Sequence, residues 1–217
     1  RMNSKKTPFI LTSAFIASAL VFSQPVSTIA QDTRPASTKP ASNPSSKPAV
    51  SSYTVDGTHS TVSFAIVHSG VSKVHGIFNN LDGKIHFHPD NPDASKIEIK
   101  VEPESVNTNS DGRDDHLRSS DYFNVEKYAS ASFKSNKIMH VKDNEYKVMG
   151  DLTMLGNTQP VEFTFNYNGE VEDKWGNTRI GGDATFTIDR TKWGMTTSLG
   201  TLSKDVKMMI SLAGTKD

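Results

Sequence analysis

From Tyr53 onward, apolar and polar residues alternate with a period of two in run after run, and this alternation limits the fold more than any other feature. Val62, Phe64 and Ile66 alternate with Ser63 and Ala65; Ile85 and Phe87 alternate with Lys84, His86 and His88. Ile97, Ile99 and Val101 alternate with Glu98, Lys100 and Glu102, and further runs cover Tyr146 to Met154, Val161 to Tyr167, Ala184 to Ile188 and Val206 to Leu212. Ala131 and Phe133 open a weaker run. Side chains along a strand point to opposite faces in turn, so each run reads as a strand with one buried face. Turn signals are read at Asp56-Gly57, Ser69-Gly70, Asp82-Gly83, Asn168-Gly169 and Gly181-Gly182. About eight such strands in one domain imply an all-β fold, either a two-sheet sandwich or a closed antiparallel barrel. Closure is favoured because it leaves no open sheet edge to protect.

One stretch breaks the alternation. Gly112 to Phe123 is dense in charge, compatible with a short helix, and ends in Tyr122 and Phe123. A helix of two turns or so is marginal in water and persists only if it docks. Leu117, Tyr122 and Phe123 are the groups available for docking, so the stretch reads as an element capping the barrel, its charges toward water or a pocket mouth.

The first 30 residues carry Arg1, Lys5 and Lys6 and no acid, then an apolar run from Phe9 to Phe22, and Thr28-Ile29-Ala30 before Gln31. A basic start, an apolar run short for a bilayer and small residues before a cut predict a cleaved secretory signal over 1–30, leaving no stable membrane anchor. Residues 31–51 are rich in Pro, Ser, Ala and Thr and read as a flexible tether, which places the folded domain at 52–217. Without the signal, 21 basic residues face 24 acids, a balance that gives no footprint for nucleic acid. The chain has no Cys, so no disulfide holds the exported domain and its core must do so alone.

If the apolar faces point inward, the interior holds Phe64, Ile66, Ile85, Phe87, Phe163, Phe165, Phe186, Ile188, Met208 and Ile210. A barrel of about eight strands is wide enough to be filled by its own side chains or to hold one ligand. Patterning leaves both readings open. Counting by twos also brings Arg190 and His68 inward. An inward guanidinium needs a carboxylate, a carbonyl cluster or an anionic ligand, unless it sits at a strand end and reaches water. His86 and His88 share a face that reads as solvated, and Pro89-Asp90-Asn91-Pro92-Asp93 after them lacks the acidic third ligand of a barrel metal enzyme. No Gly-x-Ser-x-Gly turn or Gly-rich phosphate loop is present. The reading is therefore binding without catalysis, cofactor or metal, against two alternatives: a metal protein built from surface histidines, or a filled, ligand-free envelope-stress module.

Several segments, in this order, carry a family resemblance: Asp56-Gly57-Thr58-His59-Ser60 with Val62-Ser63-Phe64, Gly76-Ile77-Phe78, Arg113-Asp114-Asp115-His116-Leu117 leading to Asp121-Tyr122-Phe123, Gly150-Asp151-Leu152-Thr153, and Ile188-Asp189-Arg190 running to Trp193-Gly194-Met195. On them the domain resembles the YceI-like family of exported lipid-binding proteins. The resemblance implies an extended lipocalin-like antiparallel barrel in the bacterial periplasm, often a homodimer, whose apolar cavity takes a long-chain isoprenoid or fatty amphiphile. Two residues depart from the family's pattern: Ala129 where Pro is common, and Trp193 where Phe is more frequent. The expected ligand-binding set is Phe64, Ile66, His68, Ile85, Phe87, Phe163, Phe165, Phe186, Ile188, Arg190, Trp193 and Met208.

Overall fold

The computed structural model describes residues 50–88 and 90–217. The signal segment and the tether up to residue 49 lie outside the described residues. Strand β1 (Ser51–Val55) begins at the residue read as the end of the tether.

After β1 come β2 (Thr61–His68), β3 (Ser72–Phe78), β4 (Leu81–Phe87), β5 (Lys96–Val101) and β6 (Val106–Asn107). These six are the halves of three long strands. Both β1 and β2 pair with β11 (Leu202–Lys216), β1 through Val55 opposite Gly214 and β2 through Thr61 opposite Ser211. Likewise β4 pairs with β1 while β3 pairs with β2, and β5 pairs with β4 while β6 pairs with β3. The remaining strands, β7 (Ala131–Lys142), β8 (Glu145–Met154), β9 (Asn157–Glu172) and β10 (Thr178–Asp189), continue the order, and β10 pairs with β11. Eight long antiparallel strands thus close a barrel, as the alternation predicts.

The breaks in the three divided strands lie side by side, at residues 56–60, 79–80 and 102–105. Asn80 joins two of them: its side chain donates to Glu102 Oε2 at 2.9 Å and its backbone N–H to Ser105 Oγ at 2.9 Å. The wall is creased along this line. On one side β5 continues the sheet to β7. On the other, β6 is two residues long, and helix α1 (Asp111–Arg118) with the turns of 119–128 stands where further strand would be.

Three of the five turn signals fall inside strands. Asp82-Gly83 is in β4, Asn168-Gly169 in β9 and Gly181-Gly182 in β10. The glycines there answer to close cross-strand approach instead. A Cβ on Gly83 would lie 2.2 Å from Glu98 O, and one on Gly182 would lie 2.4 Å from the Phe165 ring. The ladder between β9 and β10 shifts at Gly181/Gly182, a bulge that absorbs the extra residue at Asn168. Sequence reads such glycines as turns because turns and bulges use the same residue.

Two apolar clusters divide the interior. One gathers Tyr53, Ile85, Ile97, Ile138, Tyr146 and Val148 at the end where β1, β4 and β5 lie. The other gathers Phe64, Phe78, Val101, Val106, Ile188 and Trp193 at the end where α1 lies, with Leu117 and Phe123 packed against it.

Candidate ligand cavity

The two ends differ in what their side chains leave open. Around the second cluster is a cavity of about 510 Å³, whereas the first holds a void of about 30 Å³. A volume of the first size lies in the range of small-molecule sites; the second is at the scale of one water.

The cavity wall is built by the period-two faces of strands all round the barrel and closed by the helical segment. Phe64 and Ile66 come from β2, Phe163 and Phe165 from β9, Phe186 and Ile188 from β10, Met208 from β11. The rings of Phe163 and Phe186 stack at 4.5 Å with 12° between planes, so they cover each other's faces. Phe123 meets Phe78 edge-on at 5.5 Å, which docks the helical segment onto β3.

The start of that segment is anchored by Thr108. Asp114, 6% exposed, accepts from the backbone N–H of Thr108 at 2.9 Å and from its hydroxyl. Arg113 Nε donates to Thr108 Oγ1, and its Nη2 to Thr108 O, both at 2.6 Å. The helix ends at Arg118, short of Phe123, with Ser119 N–H closing onto Asp115 and His116 carbonyls. Beyond it the Tyr122 hydroxyl donates to Ser198 Oγ at 3.1 Å, joining the segment to the loop between β10 and β11.

Nine of the expected residues line the cavity: Phe64, Ile66, His68, Phe163, Phe165, Phe186, Ile188, Arg190 and Met208. Three do not. Ile85 and Phe87 are inward as read, but they belong to the filled end, where Phe87 meets Tyr167 at 4.7 Å and Tyr146 at 5.8 Å. Trp193, 1% exposed, is turned into the wall and donates its indole N–H to Leu152 O at 2.9 Å, so the departure from Phe is used by a hydrogen bond and not by the cavity. Conversely, Arg113, His116, Leu117, Tyr122 and Ser198 line the cavity and are absent from the expected set. The signal for the first four was the aromatic-ended charged stretch; Ser198 had none.

Arg190 is not at a wet strand end. It opens a short 3-10 turn, is 2% exposed, and donates to three backbone carbonyls: Ser203 at 2.9 Å, Met195 at 3.0 Å and Leu202 at 3.5 Å. Burial pushes this guanidinium below its ordinary value, though an Arg keeps its charge in proteins. The neighbouring Asp189 serves other groups. Its carboxylate takes bonds from Thr191 and Lys204, which hold it at about 2.

The histidine face is not as read either. His88 is 3% exposed and neither ring nitrogen has a partner among the described residues. It lies one residue past the end of β4, where strand alternation no longer governs direction. No group of three or more His, Asp or Glu side chains suited to a metal ion occurs among the described residues.

A closed antiparallel barrel with one filled and one hollow end defines a lipocalin-like binding fold. The YceI-like domain matches residues 53–213, and the chain belongs to that family. It is 38% identical over 161 residues to a UPF0312 protein of Pectobacterium atrosepticum, a match spanning 74% of this chain and 83% of that one. The YceI protein of Campylobacter jejuni, solved by crystallography, shares 28% identity at a TM-score of 0.63, covering 68% of this chain and 87% of its own. A polyisoprenoid binding domain from Saccharophagus degradans shares the fold at 17% identity and a TM-score of 0.61, covering 78% of this chain and all of its own.

Proposed function

We propose that this protein binds a long-chain isoprenoid or a related amphiphilic lipid in the barrel cavity and sequesters or carries it, without chemistry on it. The observation that carries the reading is the apolar hollow of about 510 Å³ in a barrel whose other end is filled. Each methylene buried there is worth about 0.8 kcal/mol, so a chain of a few isoprene units binds through apolar contact alone. The name of the Saccharophagus domain agrees with such a ligand. The basic start, apolar run and small residues of 1–30 support export to the periplasm, where a water-insoluble chain needs a carrier.

Two measurements test this. Gentle isolation of the protein from the periplasm, followed by native and denaturing mass spectrometry, is expected to recover a co-purifying lipid. The delipidated protein is expected to take up an added polyprenyl chain saturably. Recovery of no lipid together with no uptake would sink the proposal.

A further inference from the structure

The apolar hollow accounts for a chain but not for the charge placed at its mouth. Among the side chains lining the cavity, those that can carry charge near neutrality are His68, Arg113, His116 and Arg190, and no Asp, Glu or Lys lines it. The acids closest in sequence are engaged elsewhere. Asp114 holds Thr108, Asp115 pairs with Arg118 at 2.9 Å, and Asp189 serves Thr191 and Lys204; Asp121 is the exception, pairing with His116 of the cavity lining at 2.9 Å. Arg190 has no ion-pair partner among the described residues.

A guanidinium has five N–H groups, and the hydrogen bonds of Arg190 engage three donors on carbonyls. A buried cation facing an apolar space is costly unless its remaining donors and its charge are met. Tyr122, whose hydroxyl donates to Ser198 Oγ at 3.1 Å, lines the same cavity, with Thr201 and His68. The three carbonyls leave two of its N–H donors over, and an anionic chain end takes these in charge-assisted bonds stronger than those a neutral end accepts.

Building on the lipid-binding reading above, we propose that the cavity selects amphiphiles with an anionic head, a carboxylate or a phosphate monoester. The head is seated against Arg190 and Tyr122, with His68 and Arg113 at the rim, and the chain runs inward along Phe64, Phe163 and Phe186.

Binding of three ligands with one common chain, geranylgeranyl phosphate, geranylgeranoic acid and geranylgeraniol, to the delipidated full chain tests this. Both anions are expected to bind at least about tenfold tighter than the alcohol, the usual value of a charge-assisted hydrogen bond. An alcohol that binds as tightly as both anions overturns the selectivity while leaving chain binding intact. Failure of all three to bind overturns the lipid-binding reading itself. If one anion alone is preferred, that head is the one selected.

The place of the head is tested separately. Arg190→Met is expected to bring the anion-to-alcohol ratio to within about twofold, the anions losing affinity by more than the alcohol does. Equal losses for all three ligands would make Arg190 a clamp for the loop it bonds and overturn its assignment. Because that variant removes three loop contacts, the wild type supplies a second readout. The Arg190 Nε–H resonance is expected to move on adding the phosphate or the acid and to stay in place with the alcohol; an equal response to all three also overturns the assignment.

Discussion

Both ends of this barrel are made by one continuous sheet and lined by aromatics, yet one is solid and the other hollow. At the solid end the rings of Phe87, Tyr146 and Tyr167 meet largely edge-on, with 76° between Phe87 and Tyr146 and 87° between Tyr146 and Tyr167, so they fill space across one another. The Tyr53 hydroxyl reaches Glu170, and burial together with that bond pushes it up to about 12. At the hollow end Phe163 and Phe186 lie face to face, and a helix replaces strand beyond β6. Aromatic content therefore does not decide between a core and a cavity. The difference lies in the wall, where helix stands in place of strand beyond β6.

The contrast can be broken by truncation. Ile138→Ala, in the solid end at 4% exposure, is expected to cost about 2–5 kcal/mol in chemical denaturation. Met208→Ala, on the wall of the hollow, should cost about 1 kcal/mol, because its side chain already borders a void. Equal costs would mean that the two ends are packed alike.

A filling substitution gives the converse. Val161→Trp places an indole in the hollow and is expected to displace about three methylenes of a bound chain, weakening a fluorescent fatty acid by about fiftyfold with little change in stability. Unchanged affinity would place the chain elsewhere.

The helical segment should come loose on its own. Asp114→Ala strips a buried acceptor from Thr108 and is expected to cost about 1–2 kcal/mol, read as faster hydrogen exchange across 111–118 with exchange at the solid end unaltered.

The smallest effect concerns acid. At the solid end Arg179 bonds Asp56 at 2.8 Å and Asp173 at 2.7 Å, and these bonds hold both carboxyls well below the ordinary carboxylate value of 3.8. A lowered folded value means that the unfolded chain binds more protons in this range, so the contribution is complete above pH about 4 and is lost as pH falls further. The melting temperature should drop over that window, and Arg179→Met should make the drop shallower while lowering the value at pH 7. A parallel drop in both proteins would assign the acid sensitivity to other groups.

Most of the fold was legible because each strand has one buried face, and a period of two states that directly from Val62-Ser63-Phe64 to Ile210. Eight of the nine cavity residues lie in strands and followed from the same count; Arg190 opens the turn just past β10. The errors have a common cause, since alternation says which way a side chain points and nothing about what it meets there. Ile85 and Phe87 point inward just as Phe64 does, and only the partners across the barrel decide that they are in the solid end. Trp193 and His88 sit just outside strands, where the count has no meaning. Ser198 lies in a loop at φ 59°, and its place opposite Tyr122 depends on a contact 76 residues away in sequence.

The crease at 56–60, 79–80 and 102–105 has a consequence for how substitutions in such a barrel combine. Three neighbouring strands are interrupted there, so on that side of the molecule β2, β3 and β6 form one ladder and β1, β4 and β5 another. Changes far apart and without shared partners act independently. Substitutions around Phe64 and Phe78 are thus expected to add to those around Tyr53 and Ile85 without coupling.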